Sequence, residues 1–297
     1  MPELLIRNSE LTLFMRCQRS WMLSYYRQLQ PDWKLRTEPK VYDVGNFVHA
    51  GVGGYYLGDH DIDRGLEDMG QLRDETYAKL NPDSNMRAWD KTYEMAERML
   101  FAYTHWVEDN GLDVGEETFA VEERLALTLG TIRGYTVHLH GQPDRIVRTP
   151  SGLVVEDWKT GPTERPFLLE GDWQLLNYVM MAQETYGEPV LGARHRRMKR
   201  SMHTARSKSQ QFAQHPVSFS QDRLATHREH VMVQVNLMVD KTIALNEGLD
   251  PVTGATPNRN SNCNWDCAFT NVCPQMDDGD DYEYLLHDSF IERPSEL

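Results

Sequence analysis

Gly141-Gln142-Pro143-Asp144-Arg145-Ile146 and Val154-Val155-Glu156-Asp157-Trp158-Lys159-Thr160-Gly161 read as two strands joined through turn chemistry at Ser151-Gly152. Val137 and Leu139 alternate with His138 and His140 on the way into the first, and Leu153-Val154-Val155 leads the second. Strand side chains repeat with period two, so Asp157 and Lys159 point to one face and Trp158 to the other. Paired as a hairpin, the strands bring Asp144 near Asp157. Two carboxylates on one sheet face repel each other unless a cation lies between them, and a hard divalent metal with oxygen ligands suits that place. A lysine beside it can orient a water or steady negative charge on a phosphate. Such a constellation cleaves phosphodiesters.

Pro143-Asp144, twelve intervening residues and Asp157-Trp158-Lys159 resemble the Pro-Asp…(Asp/Glu)-x-Lys signature of the restriction-endonuclease-like PD-(D/E)XK nuclease superfamily. Downstream, Gln174-Leu175-Leu176-Asn177-Tyr178 resembles the Gln-x-x-x-Tyr motif of its RecB-type branch. The resemblance implies an α/β fold, with a central mixed sheet of four or five strands flanked by helices on both faces. It implies that Asp144, Asp157, the backbone carbonyl of Trp158 and His49 bind Mg2+ or Mn2+. His49 enters because the family has a helical histidine ahead of the Pro-Asp motif. Lys159 would position the attacking water. Gln174 and Tyr178 lie four apart, hence on one helix face, and would hold the substrate.

The chain has 297 residues, which allows one or two domains and a sizeable core. Hydrophobic content of 40% and charged content of 26% are ordinary for a globular protein. No apolar run approaches the roughly 20 residues of a membrane span. The opening Met1-Pro2-Glu3-Leu4-Leu5-Ile6-Arg7 lacks the basic lead and apolar segment of a secretory signal, so a cytoplasmic protein without membrane contact is expected. A net charge of −14 argues against nucleic-acid binding by the whole surface. Yet Arg194, Arg196, Arg197, Lys199, Arg200, Arg206 and Lys208 form a basic stretch without a single acid. An acidic body with one basic stretch fits local capture of a DNA backbone.

Cys17 stands alone near the start, and Cys263, Cys267 and Cys273 form Cys-x3-Cys-x5-Cys near the end. In a cytosolic chain such clustering points to metal rather than disulfides, with either zinc or an iron–sulfur cluster open to four thiolates. One N-terminal cysteine with three C-terminal ones resembles the iron–sulfur branch of the RecB-type nucleases, found in CRISPR-associated exonucleases and the AddB nuclease domain. There a four-iron four-sulfur (4Fe-4S) cluster staples the ends of the chain. The usual spacing in that branch is Cys-x2-Cys-x5-Cys, so the first gap here is one residue longer. By this resemblance the whole chain 1–297 is a single nuclease domain. Its core covers about residues 40–200, and the iron–sulfur staple draws on residues 9–27 and 257–276.

Periodicity places helices over residues 9–27, about 43–57, 62–83, 87–110, 167–186 and 219–247. It places strands at about 116–129 and 190–200, and a loop at 201–214. Glu122 and Glu123 are candidates for a supporting acid, with surface ion pairs as the simpler reading. The acidic tail after Met276 reads as mobile or laid on the surface. The function expected from all this is metal-dependent DNA cleavage, exonucleolytic on ends or single strands. The setting would be recombination and repair, phage replication or CRISPR-linked processing. No helicase motif is present, so a helicase or recombination partner would have to unwind duplex. The competing classes are a non-catalytic DNA-binding adaptor on a nuclease scaffold and a zinc-stapled structural protein of a recombination complex.

Overall fold

A computed structural model describes residues 3–162, 169–201, 210–264 and 266–293. The chain runs β1 (Glu3–Arg7), α1 (Asn8–Arg16), α2 (Gln18–Trp21), β2 (Leu29–Pro31), α3 (Val41–Leu57), α4 (Ile62–Tyr77) and α5 (Met86–Asp109). It continues through β3 (Glu117–Val121), β4 (Leu125–Ile132), β5 (Tyr135–Gly141), β6 (Arg145–Thr149), β7 (Gly152–Gly161), α6 (Trp173–Tyr186), β8 (Val190–Lys199) and β9 (Phe212–Val217). It ends with α7 (Gln221–Asn246), α8 (Pro251–Gly254), α9 (Val272–Asp278), α10 (Tyr282–Ser289) and β10 (Phe290–Glu292). Two compact units result. One comprises Met1–Leu35, Thr128–His140 and Ala225–Leu297, and the other Arg36–Leu127 and Gly141–Leu224. Among the described residues no helix is long and apolar enough to cross a membrane.

The second unit holds a five-stranded mixed sheet in the order β3-β6-β7-β8-β9. β6 and β7 form the antiparallel hairpin expected from the sequence, with Arg145 opposite Glu156 and Val147 opposite Val154. β7 and β8 run parallel, which requires a crossover, and α6 supplies it. The alternation of β7 decides what each face does. Glu156 and Trp158 look to the side where α3 and α5 pack. Phe47, Val48, Val52, Tyr55 and Tyr56 of α3 and Met99, Leu100 and Tyr103 of α5 join Trp158, Met198 and Phe212 in one core. Trp158 is wholly buried and stacks on Tyr56 at 5.7 Å, a burial worth on the order of 2–3 kcal/mol. Gly45 lets α3 come this close, because a Cβ there would lie 2.5 Å from Thr160 Oγ1 at the end of β7.

Charge is buried on the same side. Arg196 is bonded to Asp113 and to the hydroxyls of Tyr56 and Tyr103, and Arg194 to Glu156 and Glu116. Arg145 pairs with Asp113 at 3.3 Å and lies over the Tyr56 ring at 3.6 Å. Three arginines thus face three carboxylates, and each arginine has more than one partner, which is what a buried ion network needs. Burial alone would raise the Glu156 pKa, but Arg196, Arg194 and Arg145 hold it down at about 2.

The strand expected over residues 116–129 is two strands, β3 and β4. They separate at Glu122, whose φ of 51° is a left-handed conformation that ends pairing. The loop expected over 201–214 contains β9 from Phe212 onward, paired with β8, while residues 202–209 lie outside the described residues. The helix expected over 167–186 begins at Trp173, with residues 163–168 likewise outside.

In the first unit β1, β5 and β4 form a three-stranded sheet in the order β1-β5-β4, with β1 parallel to β5. The single helix expected over 9–27 is broken. Cys17 adopts an extended conformation (φ −164°, ψ 108°) between α1 and α2. The tail after Met276 is structured rather than trailing. It forms α10 and then β10, which pairs with β2, and Phe290 stacks on Phe269 at 4.7 Å.

The ion network yields a stability test. Removing one partner of a buried pair leaves the other charge unpaired, so Glu156→Ala is expected to lose about 3–5 kcal/mol in urea unfolding at pH 7. A carboxyl with a depressed folded pKa stabilises the fold above its ordinary value near 4.5, and that stability drains as pH falls through about 2. The gap between wild type and Glu156→Ala should therefore close towards pH 2. A gap that stays constant across that range contradicts the network's role.

Candidate active site on the β6–β7 hairpin

The Pro143-Asp144 corner enters β6, and Asp144 is tied across the hairpin because the Trp158 backbone N–H donates to its Oδ2. Asp144 Oδ1 lies 3.3 Å from His49 Nδ1 of α3. Glu122 reaches the same place from the break between β3 and β4. Its backbone N–H donates to the Asp144 carbonyl at 3.1 Å, and its carboxylate accepts from Gln142 Nε2 at 3.0 Å. One ligand atom each from His49, Glu122 and Asp144 lie within 4.8 Å of one another. Two carboxylates and an imidazole at that spacing fit a hard divalent cation such as Mg2+ or Mn2+.

Asp157 and Lys159 project from the opposite face of β7 to Trp158. Lys159 Nζ donates to Asp157 Oδ1 at 2.8 Å and to Gln174 Oε1 at 2.9 Å. Gln174 Nε2 in turn donates to the Tyr178 hydroxyl at 2.9 Å, so the four side chains form one chain of hydrogen bonds. Asp172 starts α6 by accepting from the backbone N–H groups of Gln174 and Leu175, which aims Gln174 and Tyr178 at β7. Gly141 leaves room for the phenol, since a Cβ there would lie 2.6 Å from Tyr178 Cε1.

The electrostatics follow from acids crowded without a counter-ion. Glu122 is pushed up to about 7 by desolvation and by Asp144. Asp157, wholly buried, is raised by burial and then by Asp144, against the pull of Lys159. Its Oδ2 has no hydrogen-bond partner, an orphaned buried acceptor of the kind a metal or water completes. Burial opposes protonation of His49, yet Asp144 holds its pKa above the ordinary value. Burial likewise opposes the Lys159 cation, but Asp157 and Asp144 keep it charged. Burial pushes Tyr178 up to about 12, so the phenol stays a donor at neutral pH.

The basic stretch divides sharply. Arg194 and Arg196 are buried in the ion network behind the sheet and have no open face for a phosphate. Alternation explains it: in β8 these two share the face of Glu156 and Trp158, while His195 and Arg197 share that of Asp157 and Lys159. Arg200 donates to the Val41 carbonyl, Lys199 ends β8, and Arg206 and Lys208 lie outside the described residues. His195 did not stand out in the sequence. Its Nε2 lies 3.3 Å from Asp157 Oδ2 and 3.8 Å from Asp172 Oδ2, and burial followed by the Lys159 charge depresses its pKa. Only the parallel register, Asp157 opposite His195, could have singled it out. Glu122 did have a signal: Glu122-Glu123-Arg124 interrupts an otherwise alternating strand.

In the first unit Cys17, Cys263, Cys267 and Cys273 line one cavity of about 280 Å³ together with Arg19, Ser20 and Asn258. The Asn258 backbone N–H points at Cys17 Sγ at 3.4 Å and Arg19 Nη1 at Cys273 Sγ at 3.6 Å. Arg19 is buried and also donates to Asp277 and to the carbonyls of Val252 and Ala255.

The sequence profile of the PD-(D/E)XK nuclease superfamily matches residues 8–274. A solved structure from Eubacterium rectale, named "Putative exonuclease", aligns over 87% of this chain and 86% of its own, at 10% identity and a TM-score of 0.50. The crystal structure of SSO0001 aligns over 64% of this chain and 79% of its own, at 16% identity and a TM-score of 0.33. None of the curated proteins compared matches the sequence.

A carboxyl with a pKa near 7 must shed its proton to ligate a cation. Mg2+ binding at pH 7 is therefore expected to release protons, read by calorimetry in buffers of different ionisation heat. Glu122→Gln should bind more weakly and release fewer. Equal release by both proteins would remove Glu122 from the site.

Proposed function

This chain belongs to the PD-(D/E)XK nuclease superfamily, and we propose that it is a deoxyribonuclease that trims DNA from ends or along single strands. Metal-dependent phosphodiester hydrolysis comes with the family. The observation that carries the reading to particular residues is the meeting of His49, Glu122 and Asp144 within 4.8 Å beside the bonded pair Asp157–Lys159. His49, Glu122, Asp144 and Asp157, with the Trp158 carbonyl, would hold Mg2+ or Mn2+. That cation supplies Lewis acidity, acidifying the attacking water and offsetting charge that builds on the phosphate.

The chain's own groups do the rest. Lys159, fixed between Asp157 and Gln174, presents an ammonium that holds the attacking water in line. Gln174 orients the Tyr178 hydroxyl, which donates to a phosphate oxygen without adding charge. Such prealigned donors act where negative charge develops. The exonuclease mode agrees with the name of the Eubacterium rectale structure, and the Gln174 and Tyr178 pair with the RecB-type branch. The setting would be recombination and repair, phage replication or CRISPR-linked processing, with a helicase partner where duplex must be opened.

The four cysteines would hold a 4Fe-4S cluster. They line one cavity of about 280 Å³, and one N-terminal cysteine with three C-terminal ones resembles the iron–sulfur branch of the RecB-type nucleases. N–H groups aimed at Cys17 and Cys273 are the donors that tune such sulfurs.

Two experiments test this. End-labelled single- and double-stranded DNA with Mg2+ or Mn2+ should shorten with wild type. Lys159→Ala should slow cleavage by about 10²–10⁴-fold while still binding DNA. Asp157→Ala or a chelator should abolish it. Binding without cutting under either metal would favour a DNA-binding adaptor instead. Separately, anaerobically purified protein should be brown and absorb broadly near about 400 nm. Cys17→Ser should lose colour and melt earlier, and a colourless, zinc-containing wild type would overturn the cluster.

A further inference from the structure

The strand next to β7 carries a cation to which the proposed mechanism gives no role. In the parallel β7–β8 pair, Lys159 lies opposite Arg197 and Asp157 opposite His195. Registered residues of neighbouring strands share a face, so Arg197 stands on the side of Asp157 and Lys159. Its neighbours Arg194 and Arg196 turn the other way and are consumed by Glu116, Glu156 and Asp113. Arg197 is only partly buried, but its Nε is buried with no hydrogen-bond partner. No carboxylate pairs with its guanidinium among the described residues. On the far side its register partner in β9 is Ala213, whose side chain has no acceptor. Its positive charge is nonetheless felt at the site, where it adds to burial and Lys159 in lowering the His195 pKa.

An unpaired guanidinium N–H inside the protein is costly, and the fork of five donors matches phosphate oxygens. The position also sets which phosphate. β8 lies about 4.8 Å to the side of β7, so the guanidinium stands beside Lys159 rather than over it, towards a neighbouring phosphate of the strand. We propose that Arg197 binds the DNA phosphate flanking the one cleaved at Lys159, and so fixes the register of the strand on the site. This deepens the nuclease reading and rests on it.

The test reads binding and cleavage separately. In Ca2+, which is used here to suppress cutting, single-stranded oligonucleotide affinity is measured against salt for wild type and Arg197→Ala. One lost phosphate contact should reduce the slope of log affinity against log salt by about 0.7. In Mg2+, Arg197→Ala should lose at least tenfold in kcat/KM. Arg197→Lys keeps the charge but not the fork, so it should keep the slope and still lose kcat/KM. It also stands in if Arg197→Ala does not fold. Single methylphosphonates are then walked along the strand. Neutralising the flanking phosphate should slow wild type tenfold and leave the already slow Arg197 variant unchanged, a coupling that a merely structural arginine would not show.

If wild type cleaves and Arg197→Ala matches it in slope and in kcat/KM, the inference is overturned and the nuclease reading stands. If wild type binds but never cuts, the nuclease reading fails, while the salt slope still decides whether Arg197 holds a phosphate. A wild type that binds no DNA overturns both.

Discussion

The period-two alternation of β7 governs the second unit. Within four residues the strand sends Glu156 and Trp158 to one face and Asp157 and Lys159 to the other. The first pair is sealed by α3, α5 and three arginines. The second is left beside α6, where acids, lysine, amide and phenol meet. The faces are coupled through one backbone contact, since the N–H of Trp158 donates to the Asp144 carboxylate. A wholly buried indole thereby fixes the height of the peptide that holds the acid. A one-residue slip in β7 would exchange the two faces and lose both core and site.

Stability and reactivity are divided along the same line. Behind the sheet, charges are matched and their acids ionise readily: Glu156 is held at about 2. In front, acids are crowded and ionise reluctantly: Glu122 is held up at about 7. The sheet thus separates charge that holds the fold from charge that waits for a cation. Groups whose environments push their pKa values apart in this way are a mark of functional sites.

Much of this was legible in the sequence because it depends on local rules. The hairpin, the crossover helix and the helices over 41–57 and 221–246 follow from alternation, turn residues and apolar stripes. What was not legible depends on register and on special backbone. Seven cations in one stretch look alike in a sequence, yet β8 sends Arg194 and Arg196 into the ion network and Arg197 to the site side. His195 has meaning only once β8 is known to lie parallel to β7 with Asp157 opposite it. Glu122 was already a candidate acid in the sequence, but the left-handed conformation by which it splits the strand was not legible, nor was the break at Cys17 in an otherwise good helical pattern. Of the two readings of the acidic tail, mobile or laid on the surface, the second fits: its residues stay largely exposed, while Phe290 anchors it by stacking on Phe269.

The central claim is that a divalent cation sits where His49, Glu122 and Asp144 converge beside Asp157. The direct measurement is an anomalous difference map at the manganese edge from crystals soaked in Mn2+. The account predicts a peak within about 2.0–2.4 Å of ligand atoms of Asp144 and of at least two of His49, Glu122 and Asp157. Crystals of protein that cleaves DNA with Mn2+, yet show their only peak away from Asp144, would contradict it.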